Sequence, residues 1–178
     1  VTRAVVAPEA DSKIFGGQGA IADLGADSEP VTKSRAFQYV EFGEIGADLA
    51  GGSRSALYAA FRAYLREAQD QATGRDAFED DLLKVEDAKA IRSVLSGETR
   101  LLVHVEGAND MLRLIDLKRE YPSIKMVFVG ATEGWRVADR LAAAGVPVIA
   151  SALNDLPASF EMLGATQSNV GRMKAAGV

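Results

Sequence analysis

The most restrictive feature of this chain is a regular alternation of short apolar runs and helical segments between residues 100 and 150. Residues 100–105 read as a strand, 109–120 as a helix ended by Pro122, and 125–129 as a strand. Residues 132–144 then read as a helix closed by Gly145, and 146–150 as a third strand. Strands separated by helices of this length form two consecutive βαβ units, which require parallel strands and right-handed crossovers. The runs Leu101-Leu102-Val103, Met126-Val127-Phe128-Val129 and Val146-Pro147-Val148-Ile149 are apolar on both faces, as strands covered on both sides must be. The class is therefore α/β. An open doubly wound sheet and a closed barrel both satisfy this periodicity. The polar residues favour the barrel: His104 and Glu106, then Gly130 and Glu133, then Ser151, Asn154 and Asp155 stand where the strands stop. In barrel enzymes the loops at those carboxyl ends carry the site.

The first fifty residues are glycine-rich, with short apolar runs, and predict three short strands at 5–8, 19–24 and 36–42. From Ser53 the spacing becomes helical: Ala56, Leu57, Ala60, Phe61, Tyr64, Leu65 and Ala68 form one stripe, with Ser53 as N-cap and Gly74 as stop. A second helix is predicted over 79–95, with Asp80 and Asp81 at its positive end and Gly97 closing it.

Composition narrows the function. Twenty basic against 25 acidic residues, mixed along the chain for a net charge of −5, leave no basic face for nucleic acid. No apolar run approaches the roughly 20 residues that span a bilayer. With no cysteine there is no disulfide framework, no thiolate nucleophile and no sulfur-ligated zinc. The chain opens at Val1 and closes on Gly177-Val178, where a strand would be starting, so both ends are expected to be cut. A partial barrel exposes edge strands, which predicts association with the remainder of its own barrel or with another copy.

His104 is the only histidine. Strand alternation places Leu102, His104 and Glu106 on one face and Leu101, Val103 and Val105 on the other. If the second face packs on helices, His104 and Glu106 point into the barrel mouth. There an imidazole can hold a divalent metal or shuttle a proton, and the carboxylate can act as ligand or base. The competing reading is a buried histidine that simply hydrogen-bonds its neighbours.

Gly17, Gly19 and Ala22 have the G-x-G-x-x-A spacing of a dinucleotide turn, but that motif needs a strand before it and a helix after it. Here the preceding segment is turn-like and the following one reads as a strand, so a glycine turn that admits close backbone approach is the better reading. Gly51-Gly52-Ser53-Arg54-Ser55 leads into a helix whose free amides could take an anion with Arg54 assisting, but ordinary capping is the better reading. Glu133 suits a first helical turn, with a catalytic role open. Trp135 falls on the apolar side with Ala138, Leu141 and Ala142. Asn154 and Asp155 are turn formers by default and substrate-contact candidates by position.

These residues support a resemblance. Leu101-Leu102-Val103-His104-Val105-Glu106-Gly107-Ala108-Asn109-Asp110, then Val129-Gly130-Ala131-Thr132-Glu133-Gly134-Trp135, then Leu141-Ala142-Ala143-Ala144-Gly145-Val146-Pro147-Val148-Ile149 resemble the middle of amidohydrolases related to imidazolonepropionase. Val5-Val6-Ala7-Pro8 with Phe15-Gly16-Gly17-Gln18-Gly19-Ala20 is similar to the segment after their first metal-binding strand. Residues 169–178 are similar to their next helix and the strand start beyond it. The resemblance implies an internal segment, residues 1–178, of a (β/α)8 TIM-type barrel truncated at both ends. It also implies a metal-dependent hydrolase that cleaves C–N bonds of amides, cyclic amides or similar small-molecule substrates with metal-activated water.

In that family a His-x-His pair on the first strand, histidines on the fifth and sixth, and an aspartate on the eighth surround a divalent metal, zinc in the first instance. The fifth-strand position falls on His104. The sixth falls on Gly130, which has no side chain to bind anything. The remaining ligands lie outside this chain, and Glu106 or Glu133 could supplement a reduced set. A soluble protein of bacterial type is expected, with the compartment, cytoplasmic or periplasmic, left open. The alternative is a non-catalytic barrel relative that binds a small ligand or partner through the same loops. A doubly wound nucleotide binder is the third reading.

Overall fold

The computed structural model of the chain describes residues 2–25, 28–72 and 82–178. Among the described residues six strands form one sheet in sequence order: β1 (Arg3–Val6), β2 (Phe15–Asp23), β3 (Val31–Glu41), β4 (Arg100–Val105), β5 (Met126–Gly130) and β6 (Val148–Ile149). The first two pairings are antiparallel and the last three parallel. The helices are α1 (Gly43–Leu49), α2 (Arg54–Ala72), α3 (Val85–Leu95), α4 (Ala108–Glu120), α5 (Ala138–Ala144) and α6 (Asn169–Ala175).

The sheet curls into a half-barrel. Its helix-covered face holds the main core, where Val40, Leu101, Val103, Val105, Met126 and Phe128 meet the α2 stripe of Leu57, Phe61, Tyr64, Leu65 and Ala68. Each of the valine, leucine, methionine and phenylalanine side chains among them contributes roughly 1.5–3 kcal/mol on burial. On the opposite face Phe37, Leu102 and Val127 form a smaller cluster with Tyr39 and Val129. Strand β4 therefore alternates as the sequence predicts, with Leu101, Val103 and Val105 toward helices and Leu102 and His104 toward the barrel interior.

Ser53 caps α2, its Oγ accepting the Ala56 amide at 3.1 Å. The predicted stop at Gly74 and the acidic start at Asp80 and Asp81 lie outside the described residues. Helix α3 begins later than predicted, because the chain at 82–84 is held in a non-helical bend. The Leu82 and Leu83 amides donate to the Glu67 carboxylate, Lys13 and Gln71 donate to the two carbonyls, and Leu83 is buried in the core. The helix expected over 132–144 is a 3-10 turn at 134–137 followed by α5. Positive φ at Gly130 and Ala131 and a hydrogen bond from the Trp135 amide to Asn169 Oδ1 fix that entry. The last strand shortens to two residues.

The glycine segment is corrected as well. Instead of a turn, it lies within β2, which runs nine residues between β1 and β3 and leads into no helix. The dinucleotide reading loses its structural context. Close approach is nonetheless real: a Cβ at Gly19 would overlap the Phe37 ring and stand 2.7 Å from the Val6 carbonyl oxygen. Gly19→Ala is therefore expected to destabilise the fold by about 2–3 kcal/mol in denaturant titration. Gly171→Ala, in α6 with open space around it, is expected to stabilise by about 0.5–1 kcal/mol.

Candidate active site at the mouth of the half-barrel

Strand pairing assembles the site. Glu41, the last residue of β3, stands in register with His104 on β4, and Val105 is in register with Gly130 on β5. His104 Nδ1 lies 2.7 Å from Glu41 Oε2, and Nε2 lies 3.2 Å from Glu106 Oε1. The other oxygen of each carboxylate is also engaged. Tyr39 donates its hydroxyl to Glu41 Oε1 at 2.9 Å, and Thr132 donates its amide and its hydroxyl to Glu106 Oε2 at 2.9 and 2.6 Å. Both glutamates and Thr132 are buried, while His104 keeps some exposure.

Carboxylates only accept, so both ring nitrogens donate and the imidazole is cationic. Hydrogen bonds to Glu106 and Glu41 outweigh burial and raise its pKa from 6.5 to about 10. Burial pushes the Glu106 carboxyl upward, but His104 and Thr132 together hold it below the ordinary carboxylate value. Burial, followed by the negative charge of Glu41, raises the Tyr39 hydroxyl above its usual range.

Gly130 explains part of this geometry. Its φ is +92°, and a Cβ there would overlap the Glu106 carboxylate. Glu106 thus occupies the space that a side chain on β5 would need.

The other candidate residues are placed elsewhere. Glu133 accepts the Ala108 amide through Oε2 at 3.2 Å and the Gly164 amide through Oε1 at 2.9 Å, bracing the start of α4 against the loop after β6. Asn154 is exposed in that loop, and Asp155 accepts from Gln167 Nε2 at 2.7 Å. No side chain of the three bonds to the His104 cluster; only the Glu133 backbone reaches it, its amide donating to the Glu106 carbonyl at 3.0 Å. Arg54, at the start of α2, spends its charge on Asp110 and Glu161. Trp135 is only half-buried: its indole donates to the Gly164 carbonyl at 2.8 Å, with the Arg136 and Arg172 guanidiniums 5.1 and 4.6 Å from the ring centre.

Sequence reasoning missed Glu41, Tyr39 and Thr132 as members of the cluster. Glu41 carried a readable signal, because it ends a strand just as His104 nearly does.

As for a metal, His104 Nε2 and Glu106 Oε1 stand at about the separation of two ligands on a tetrahedral zinc, roughly 3.4 Å. Glu41 on Nδ1 is the orienting partner that metal-bound imidazoles take. The pair fits a divalent cation, which would replace the ring proton that the two carboxylates now stabilise. It supplies only two ligands. Among the described residues no group of three or more His, Cys, Asp or Glu side chains is placed to hold an ion.

No protein-family model matches the chain, and no curated protein does. Among solved structures it is similar to the crystal structure of an amidohydrolase from Thermotoga maritima MSB8, with a TM-score of 0.81 and 21% sequence identity. The match covers 100% of this chain and 49% of that one, so the chain spans about half its length. The fold is a curled, mostly parallel half-barrel that matches half of that chain.

A group whose pKa rises on folding contributes stability that is complete below its unfolded value, near 6.5, and lost as pH passes the folded value, near 10. Chelator-treated protein is therefore expected to lose stability between those limits relative to His104→Gln. Parallel curves for the two proteins in denaturant titrations would show that the ring carries no stabilised proton.

Proposed function

We propose that this chain is an internal segment of an amidohydrolase-like hydrolase of C–N bonds, acting on amides, cyclic amides or similar small molecules. The observation that carries the reading is His104 with Glu106 on the interior face at the carboxyl end of β4, in a fold that superposes on half of an amidohydrolase barrel. A divalent metal, zinc in the first instance, belongs to this reading, held by His104 and Glu106 together with ligands from outside this segment. When bound, it activates water and polarises the carbonyl.

The residues of this chain have definable tasks. Glu41 fixes the imidazole through Nδ1 and leaves Nε2 facing the mouth. Thr132 keeps Glu106 ionised with one oxygen engaged and the other turned to the ring. Their net negative charge favours a cation or a proton at the Nε2–Oε1 position. Asn154 and Asp155 stand in the loop where a substrate would be met, and Glu133 serves as the brace of that loop.

Partnership with the rest of the barrel belongs to the same proposal. Val5 and Val6 on edge strand β1 and Ile149 on edge strand β6 are about half exposed, and Leu153, Leu156 and Phe160 beyond β6 are more than three-quarters exposed. This is apolar surface that a further layer would cover.

A second reading, a non-catalytic barrel relative that binds a small ligand, is favoured by one observation: Gly130 stands where the family places its sixth-strand histidine. Metal analysis and amidase assays on the intact protein separate the two. The hydrolase reading expects metal content to fall at least fivefold in His104→Ala, and turnover of N-acyl amino acids or cyclic amides to fall at least 100-fold in His104→Ala and Glu106→Gln. Equal metal content in wild type and His104→Ala removes His104 as a ligand, and no turnover by the metal-replete protein leaves the binding reading.

A further inference from the structure

Tyr39 stands two residues before Glu41 on β3, so the two share the interior face of the sheet. Its ring lies in the smaller apolar cluster with Phe37, Leu102 and Val127. On the β2 side its register partner is Gly17, and a Cβ at Gly16 would stand 3.3 Å from Tyr39 Cδ1, closer than packed carbons settle. Bare backbone at 16 and 17 thus leaves the ring its place, which gives the glycine segment a use that the dinucleotide reading did not supply.

A phenylalanine would fill that cluster equally well, so packing does not account for the hydroxyl. It donates to Glu41 Oε1 at 2.9 Å and makes no other hydrogen bond among the described residues. Burial, followed by the charge of Glu41, raises the phenol above its usual range, so it stays a donor wherever the carboxylate is ionised.

The effect falls on the imidazole of His104. The Glu41 side chain is only 11% exposed, so each of its oxygens needs a donor. Oε2 faces His104 Nδ1 at 2.7 Å. With Oε1 held by the phenol, the carboxylate is fixed at both ends and confined to the Nδ1 side of the ring. Without the phenol, Oε1 would be a buried ionised oxygen with no donor, and the carboxylate would turn toward water or toward a cation at the mouth. Either turn would loosen the Nδ1 contact that aims Nε2 at Glu106.

We infer that Tyr39 is a positioning residue whose hydroxyl locks Glu41 onto His104 Nδ1 and so holds Nε2 toward Glu106 and the mouth. The hydroxyl bonds to neither ring nitrogen and acts through Glu41. This role does not require a metal; only the zinc measurement below rests on the hydrolase reading.

The test is NMR of the chelator-treated intact protein, isotope-labelled at histidine, with the His104 Nδ1 proton assigned by its loss in His104→Gln. The wild type should show a protected Nδ1 proton. Tyr39→Phe keeps the ring and its packing, yet should speed exchange of that proton with solvent by roughly tenfold or more, the scale of one charge-assisted hydrogen bond. Zinc affinity, read by chelator competition, should fall about tenfold in the same variant, as it does on loss of a partner that supports a metal ligand. Adding Tyr39→Phe to Glu41→Gln should change neither quantity further, because residues that act along one path do not add. Full additivity of the two substitutions, an Nδ1 proton that exchanges equally fast with and without the hydroxyl, or no protected Nδ1 proton in the wild type would each overturn the inference. If the wild type binds no zinc, the hydrolase reading falls, and proton exchange alone decides the role of Tyr39.

Discussion

The structure at the mouth depends on one carboxylate. Glu106 follows the end of β4, lies in the space above Gly130, receives two hydrogen bonds from Thr132 and faces the imidazole of His104. A buried carboxylate is stable only if its oxygens are matched by donors, and here all of them come from neighbouring strand ends. Glycine at 130 is the condition for this arrangement. Any side chain there would compete for the same volume, so the bare terminus of β5 and the inward glutamate are two aspects of one packing solution.

The same carboxylate changes how His104 is to be understood. A lone histidine at a strand end admits two readings, a ligand or a satisfied core residue, and the geometry partly unites them. Both ring nitrogens are satisfied, by Glu41 and by Glu106, yet the arrangement concentrates negative charge around a position that a cation could take. The buried-neighbour description accounts for the contacts, and two carboxylates around one ring match a cationic imidazole.

Much of the parallel half was legible because its signals are local. Apolar runs at 101–103 and 126–129, Pro122 and Gly145 as stops, and the alternation of β4 all follow from covalent geometry and burial. The antiparallel half was less so. Residues 15–19 read as a turn because glycine usually marks one, but the sheet uses Gly19 to admit the Phe37 ring beside the Val6 carbonyl, a reason that exists only once three strands are paired. Likewise the start of α3 is set by Glu67, fifteen or more residues away, and the entry to α5 by Asn169. Within the site, His104 and Glu106 could be paired by counting along one strand. Glu41 could not, because its place beside His104 depends on a register between β3 and β4 across a crossover of nearly sixty residues.

Glu133 joins regions that would otherwise move separately. Its amide bonds to the Glu106 carbonyl, while its carboxylate grips the backbone at Gly164 and at the head of α4. Nearby, Glu161 accepts the Glu44 amide and the Arg54 guanidinium, anchoring the same loop to the segment that leaves β3 after Glu41. The loop is thus tied down at two points, one through Glu133 beside Glu106 and one at the start of α1, three residues beyond Glu41. Displacing it would require breaking hydrogen bonds to the backbone that follows each of the two strands flanking the imidazole's carboxylates.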